Sequence, residues 1–199
     1  HAIKMIEDGA DIIDIGGEST RPGAEPVLLE EELYRTIPVI EAIRKQSDCV
    51  ISIDTYKSKV ASAALDAGAN LVNDISGLTF DEGIAPLVAE KNVPVILMHI
   101  KGTPRDMQKE PHYEDLMGEI KDYFTAQIAK AKKAGISNTN IILDPGIGFG
   151  KRLEDNFELI RELKQIRAMG YPVLIGPSRK SFIGTALNLP VTEPVAESY

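Results

Sequence analysis

The chain has 199 residues, of which 43% are hydrophobic and 26% charged, and its formal net charge is −8. These proportions are typical of one globular domain, 1–199, that can bury a sizeable core. The acidic balance argues against nucleic acid as a partner, and no apolar run approaches the roughly 18 residues of a membrane span.

The cysteine content excludes two kinds of cross-link or metal site. The single cysteine, Cys49, excludes an internal disulfide and a cysteine-based zinc site. We find no secretion signal, so we expect a cytoplasmic protein.

Short apolar runs alternate with longer amphipathic segments along the whole chain. Glycines such as Gly68 and Gly135 follow several amphipathic segments, where helices often end. Apolar strands separated by helices predict a parallel sheet covered by helices. The predicted strands are 11–15, 50–54, 71–73, 93–98, 141–143 and 173–175. The predicted helices are 2–7, 30–46, 59–67, 81–90, 113–134 and 153–169, with a further helical pattern starting at 191.

Two α/β architectures fit this alternation, a doubly wound open sheet and a (β/α)8 TIM barrel. Polar residues follow nearly every predicted strand. In an open sheet the site gathers at one switch point, whereas in a barrel the carboxyl ends of all strands meet at one mouth. The spread of polar strand ends therefore favours the barrel.

Carboxylates end three of the apolar strands, at Asp54, at Asp74 beside Asn73, and at Asp144. A single strand-end Asp often only caps the next helix, but several at one mouth point to a ligand. Ionised carboxylates accept hydrogen bonds from the N–H edge of a heterocycle, and they also bind divalent metals. Their spacing alone leaves both possibilities open.

Three polar loops after the strands carry further candidate ligand-binding residues. The loop after the first strand, 16–24, combines glycines with Arg21, whose planar fork suits a carboxylate or phosphate. The glycine-rich run 146–151 carries Phe149, which could stack on an aromatic ligand, and it is not a Walker motif. Lys180 lies in the polar run 176–181, where late barrel loops often bind phosphate.

These segments resemble the dihydropteroate synthase family of pterin-binding barrels. The matching runs are IGGESTRPG at 15–23, SIDT at 52–55, VNDISG at 72–77, LMH at 97–99, DPGIGFGK at 144–151 and SRKS at 178–181. They follow the family's order, and the first combined with the last is the most specific pair.

The resemblance implies an enzyme that joins a pterin diphosphate to p-aminobenzoate and releases pyrophosphate with Mg2+ present. It implies catalytic roles for Asp54, Asp144 and Lys180. The same three residues would line the pterin pocket together with Asn73, Met98 and Phe149. The residues expected near p-aminobenzoate are Thr20, Arg21, Pro22, Phe149 and Ser181. The loop 16–26 would be mobile until both substrates bind, and the complete protein would be a homodimer.

Two departures from the family pattern stand out. Arg152 occupies a position where the family usually has a small hydroxyl residue, and we expect little consequence. We also expect the first and last strands of the barrel to be missing from this chain, and with them the loop that holds the metal. The 199 residues alone are therefore expected to aggregate and to be inactive.

Two other classes of protein have the same barrel fold and are alternative interpretations of this sequence. One is a methyltetrahydrofolate-dependent corrinoid methyltransferase, which has a similar pterin pocket. The other is a non-catalytic pterin-binding barrel. The loop at Arg21 and the run ending at Ser181 argue against the first, and the intact Asp54, Asp144 and Lys180 argue against the second.

Overall fold

A computed structural model describes residues 1–188 and shows a parallel sheet of five strands packed against helices. The strands are β1 (Ile12–Gly16), β2 (Val50–Asp54), β3 (Leu71–Asp74), β4 (Val95–Met98) and β5 (Ile141–Asp144). The helices are α1 (Ala2–Glu7), α2 (Leu29–Arg44), α3 (Ser58–Asp66), α4 (Ile84–Lys91), α5 (Leu116–Lys133), α6 (Leu153–Arg161), α7 (Leu163–Arg167) and α8 (Ser181–Ala186). A 3-10 turn, Asn138–Asn140, precedes β5.

The first five predicted strands and the helices predicted between 2 and 134 agree with the observed ones apart from their ends, whereas α8 was not predicted. Helix α1 has the predicted bounds, whereas α5 begins later than predicted because Asp115 caps it by accepting a hydrogen bond from Gly118 N at 3.0 Å. The predicted helix 153–169 is interrupted at Glu162, which separates α6 from α7. The helical pattern predicted from 191 lies outside the described residues.

The prediction of a sixth strand at 173–175 is wrong. Val173 forms only an isolated parallel bridge with Leu143 of β5. Two hydrogen bonds support it, from Leu143 N to Pro172 O and from Leu174 N to Leu143 O, both 2.9 Å. Pro172 has no N–H to donate, which shortens the ladder. The segment therefore runs beside β5 in the expected direction without becoming a strand.

The strand order distinguishes the two architectures. The five strands lie side by side in chain order, β1-β2-β3-β4-β5, and each neighbouring pair is parallel. A doubly wound sheet reverses its order at a switch point, and these strands show no reversal. The sheet is therefore an arc of a (β/α) barrel, as the sequence predicts.

The two faces of the arc have different chemistry. Alternate residues such as Ile13, Ile53 and Leu97 face the helices and are buried in the main apolar core. The residues between them face the inside of the arc, where Asp54 and Asn73 lie opposite each other. None of the helices in residues 1–188 is long and apolar enough to cross a membrane.

Phe124 of α5 is fully buried in this core, so we expect Phe124→Ala to lower the free energy of unfolding by about 3–5 kcal/mol. The loss combines the removed apolar surface with the cavity left behind. Chemical denaturation followed by circular dichroism measures it.

Tyr34→Ala is the matched control, because the Tyr34 side chain is 77% exposed. It should change stability by less than about 0.5 kcal/mol. Equal effects of the two substitutions would contradict the assignment of the core.

Candidate functional site

The strand register brings the predicted pocket residues onto one face. Asp54 pairs with Gly16 on one side and with Asn73 on the other. On the far side of the arc Met98 pairs with Asp144. Paired residues in a parallel sheet point to the same side, and both pairs face the inside of the arc. Four residues predicted separately from the sequence therefore share one surface at the carboxyl ends of the strands.

Asp54 carries an unused hydrogen-bond acceptor. Its Oδ1 is buried and has no partner among the described residues. Burial raises the pKa of Asp54 well above its ordinary value, and the carboxylates of Asp14 and Glu32 raise it further, whereas Lys180 lowers it. A Cβ at Gly16 would lie 3.3 Å from Asp54 Oδ2, so glycine leaves room for the carboxylate. Asp54 Oδ1 therefore has no hydrogen-bond donor among the described residues, and a bound ligand could supply one.

Asp14 belongs to this site, although the sequence analysis did not single it out. It lies on the inner face of β1, opposite Ser52, and its Oδ2 accepts a hydrogen bond from Asn73 Nδ2 at 3.2 Å. Burial raises the pKa of Asp14. An acidic residue in the middle of the apolar run 11–15 was the signal that could have identified it, because such a residue must face a polar space.

Asp144 is almost completely buried and holds the start of the glycine-rich loop. Its Oδ1 accepts a hydrogen bond from Gly146 N at 2.8 Å. Burial raises the pKa of Asp144 to about 6, while the Gly146 N–H, Lys151 and Lys180 act in the opposite direction. Burial and the neighbouring donors therefore act in opposite directions on this carboxylate.

Aromatic and apolar groups lie next to these carboxylates. Lys180 Nζ lies 4.0 Å from the centre of the Phe149 ring, a cation–π contact that joins the two predicted loops. Met98 and Phe149 belong to a small buried cluster with Ile75, Ile100 and Met107. Burial lowers the pKa of Lys180, although Asp144 and Asp54 raise it. The site thus combines a flat apolar surface with carboxylates and one ammonium.

The tip of the loop after β1 is more exposed than the rest of the site. Arg21 and Pro22 are exposed and Thr20 is partly exposed. Gly23 N donates to Pro104 O at 3.0 Å, which ties the tip to the loop after β4. Ser181, the first residue of α8, is also exposed. Among the described residues, the tip residues Thr20, Arg21 and Pro22 make no hydrogen bond with Phe149 or Ser181.

The root of the same loop is held by an ionic cluster that the sequence analysis missed. Glu18 accepts hydrogen bonds from Tyr56 Oη at 2.7 Å, from Val27 N at 3.0 Å and from Lys57 Nζ at 2.5 Å. Lys57 also pairs with Glu32, whose side chain is only 1% exposed. We call Glu18, Glu32, Tyr56 and Lys57 the loop anchor. The expectation of a loop with few contacts therefore applies to its tip and not to its root.

Burial would raise the pKa of Glu18, but the hydrogen bonds from Lys57, Val27 N and Tyr56 lower it overall. Burial would likewise lower the pKa of Lys57, but Glu18 and Glu32 raise it overall. Both charges are therefore stabilised in the folded protein.

Arg152, the residue that differs from the family pattern, is held by an acidic neighbour. Arg152 forms a two-point contact with Asp155 at the start of α6, with Nε–Oδ2 at 3.0 Å and Nη2–Oδ1 at 2.8 Å.

Within residues 1–188, no three His, Cys, Asp or Glu side chains gather as they would around a metal ion. The described residues therefore do not by themselves form a Mg2+ site.

The fold and the site together define an arc of a (β/α) barrel whose inner face combines carboxylates and one lysine with an apolar surface. The family model described as "Pterin binding enzyme" matches residues 1–197, and the chain belongs to this family. A curated relative, the dihydropteroate synthase of Synechocystis, is 54% identical over 186 residues, which is 94% of this chain.

Two solved structures of dihydropteroate synthases are also similar. The Yersinia pestis enzyme with a sulfonamide drug is 44% identical over 99% of this chain, with a TM-score of 0.94. The Xanthomonas albilineans enzyme with 7,8-dihydropteroate is 38% identical over the whole chain, with a TM-score of 0.86. The chain spans 64% of the Synechocystis relative, 71% of the Yersinia chain and 68% of the Xanthomonas chain.

The loop anchor yields a prediction about stability. Lys57→Met leaves the buried Glu32 without its counter-charge, so the free energy of unfolding should fall by about 3 kcal/mol. Hydrogen exchange at 18–27 should accelerate in the same variant, because Glu18 loses its ammonium partner.

The pH dependence supplies the check. The pKa of Glu18 is lowered in the folded protein, so its contribution to stability is present above the unfolded-state pKa and is lost as pH falls through the folded-state pKa. The pKa of Lys57 is raised, so its contribution is present below the unfolded-state pKa and is lost as pH rises through the folded-state pKa. The difference between parent and variant should therefore persist from about pH 5 to pH 10. Lys91→Met, which breaks an exposed pair with Asp66, is the control and should have little effect.

Proposed function

We propose that the protein containing this chain is a dihydropteroate synthase. It joins 6-hydroxymethyl-7,8-dihydropterin diphosphate to p-aminobenzoate and forms 7,8-dihydropteroate and pyrophosphate. The observation that carries the proposal is the buried Asp54 Oδ1 that lacks a donor, on the same face as Asn73 and Asp144. Family membership and the synthases that bind a sulfonamide drug or 7,8-dihydropteroate support it.

Pterin binding follows from the donors and acceptors of the site. The amino group and ring N–H groups of a pterin are donors, and Asp54 and Asp144 provide carboxylate acceptors. Asn73 can both donate and accept, and Lys180 donates to a ring acceptor. Met98 and Phe149 pack against the flat ring. Ligand donors favour the ionised form of Asp54, which opposes the effect of its burial.

The same carboxylates favour the chemical step. The C–O bond between the pterin methylene carbon and the diphosphate breaks, and both electrons leave with pyrophosphate. The methylene carbon becomes positively charged, and anionic Asp54 and Asp144 stabilise it electrostatically. The amine nitrogen of p-aminobenzoate then donates its lone pair to this carbon and loses a proton. Water must be kept away from the cation, because it would form the alcohol instead.

Loop closure would assemble the second half of the site. The exposed tip carries Thr20, Arg21 and Pro22 on a root fixed by Glu18. Rotation about this fixed root would bring Arg21 to the carboxylate of p-aminobenzoate, beside Phe149 and Ser181. The bond between Gly23 N and Pro104 O is the contact that closure would break.

The remaining parts of the proposal concern partners. Mg2+ would accompany the diphosphate, and because the described residues form no site for it, no step above depends on the ion. We also propose a homodimer and a cytoplasmic location; the single cysteine is consistent with a reducing compartment.

Asp144→Asn should weaken pterin binding by about 1.5–3 kcal/mol, which is roughly tenfold to a hundredfold. The substituted amide places a donor opposite a ligand donor. Isothermal calorimetry with 6-hydroxymethyl-7,8-dihydropterin measures the change in the natural protein that contains this chain.

The control is Asp66→Asn, which neutralises an exposed carboxylate paired with Lys91. It should leave pterin affinity unchanged. Equal affinities of parent and Asp144→Asn would refute the pocket assignment, and absence of pyrophosphate release by the parent would refute the synthase assignment and favour the non-catalytic barrel.

Arg21→Ala should lower turnover more than it weakens pterin binding, because Arg21 lies on the loop tip and not on the inner face. We expect kcat/KM for p-aminobenzoate to fall by roughly tenfold or more, as for a lost charged hydrogen bond. Hydrogen exchange at 19–26 should slow only when both ligands are bound. Equal protection with and without ligands would show that the tip does not close.

A further inference from the structure

Lys151 is the most deeply buried lysine among the described residues, at 3% exposure. Its Nζ lies 3.0 Å from Phe149 O, 3.0 Å from His99 Nδ1 and 3.4 Å from His99 O. An ammonium group has three N–H donors, and three acceptors surround this one. The three donors of an ammonium can therefore each find an acceptor when His99 Nδ1 carries no proton.

His99 contributes no positive charge to this contact. Its Nδ1 lies 3.0 Å from Lys151 Nζ, and an ammonium at this position requires the neutral tautomer that carries its proton on Nε2. Burial lowers the pKa of His99 to about 2, and Lys151 contributes to the decrease. The ring also packs edge-on against Tyr123, with centroids 4.8 Å apart. His99 therefore acts as a neutral acceptor that orients Lys151.

The loop between Asp144 and Lys151 lies directly on the end of β4. A Cβ at Gly146 would lie 2.0 Å from His99 O, and one at Gly150 would lie 2.5 Å from Lys101 O. Both glycines have positive φ, at 68° and 64°. No side chain fits between the two backbones. The ammonium therefore fastens a loop whose first residue is Asp144 and which carries Phe149.

Asp144 lies next to this contact, because its backbone O accepts a hydrogen bond from His99 N at 2.9 Å. Burial, and to a smaller extent Lys180 and Lys101, lower the pKa of Lys151, whereas Asp144 and Asp155 raise it, and the net result is a pKa of about 7. Asp155 is already held by two hydrogen bonds from Arg152. Asp144 is faced by Lys151 and Lys180, and both lower its pKa against the effect of burial.

We propose that Lys151 is a positioning residue of the pterin pocket, whose buried ammonium fixes the glycine-rich loop against His99 and places a positive charge beside Asp144. It does not touch the pterin and acts through Asp144 and Phe149. The part that concerns pterin rests on the proposed function. The part that concerns Asp144 is independent of it and can be measured without ligand.

The test uses two neutral variants in the natural protein. Lys151→Met keeps the length of the side chain and removes all its donors, whereas Lys151→Gln keeps an amide donor for the carbonyl groups. Lys133→Met on the exposed end of α5 is the control. In protein labelled with 13C at aspartate carboxyls, NMR follows the titration of Asp144, and Asp144→Asn identifies its signal.

Removing a nearby cation disfavours the anion, so the Asp144 titration should move to higher pH by roughly one unit in both neutral variants. Pterin binding requires the anion, and at pH 6 it should weaken roughly fivefold, which corresponds to the lower ionised fraction. The control should match the parent in both measurements.

An unchanged titration with a lowered melting temperature would mean that Lys151 is only structural, and the proposal would be wrong. It would be equally wrong if neither neutral variant folds, because the role of the charge would then lie in folding. A shifted Asp144 titration in a protein that binds no pterin would support the role of Lys151 and refute the proposed function.

Discussion

The parallel register of β2, β3, β4 and β5 is the constraint on which the site depends. It places Asp54 beside Asn73 and Met98 beside Asp144, with no loop required to bring the side chains together. Main-chain hydrogen bonds fix these positions, so Asp54 cannot move away from Asp14, whose carboxylate raises its pKa. The folded protein must hold an acidic pocket whose charge is only partly balanced by lysine.

Three interactions reduce that imbalance. Gly146 N donates to Asp144, Lys180 lies over Phe149 close to both carboxylates, and Lys151 is buried below the loop. The donor for Asp54 Oδ1 is absent from the described residues. The pocket is thus most strained electrostatically at the position where the proposed pterin would place its N–H groups.

The sequence predicts those parts of the structure that follow from local patterns. Alternating apolar and amphipathic runs predict the five strands, and polar residues at their ends predict Asp54, Asn73 and Asp144. Contacts between distant residues leave no such pattern. Lys57 reaches Glu32 across 25 positions and Lys151 reaches His99 across 52 positions, so neither could be found from spacing. The prediction of a sixth strand was wrong because apolarity alone does not reveal whether the hydrogen-bond ladder is complete.

The glycine-rich loop also determines how this pocket can vary during evolution. At Gly146 and Gly150 a side chain would overlap carbonyl oxygens of the β4 exit, so most nucleotide changes at these codons produce a protein that cannot keep the loop in place. Phe149 lies between them, and its side chain is limited by packing against Met98 and Lys180 and not by a backbone overlap. Inherited changes in ligand preference should therefore accumulate at Phe149 and on the exposed tip around Arg21, while the backbone between them is preserved.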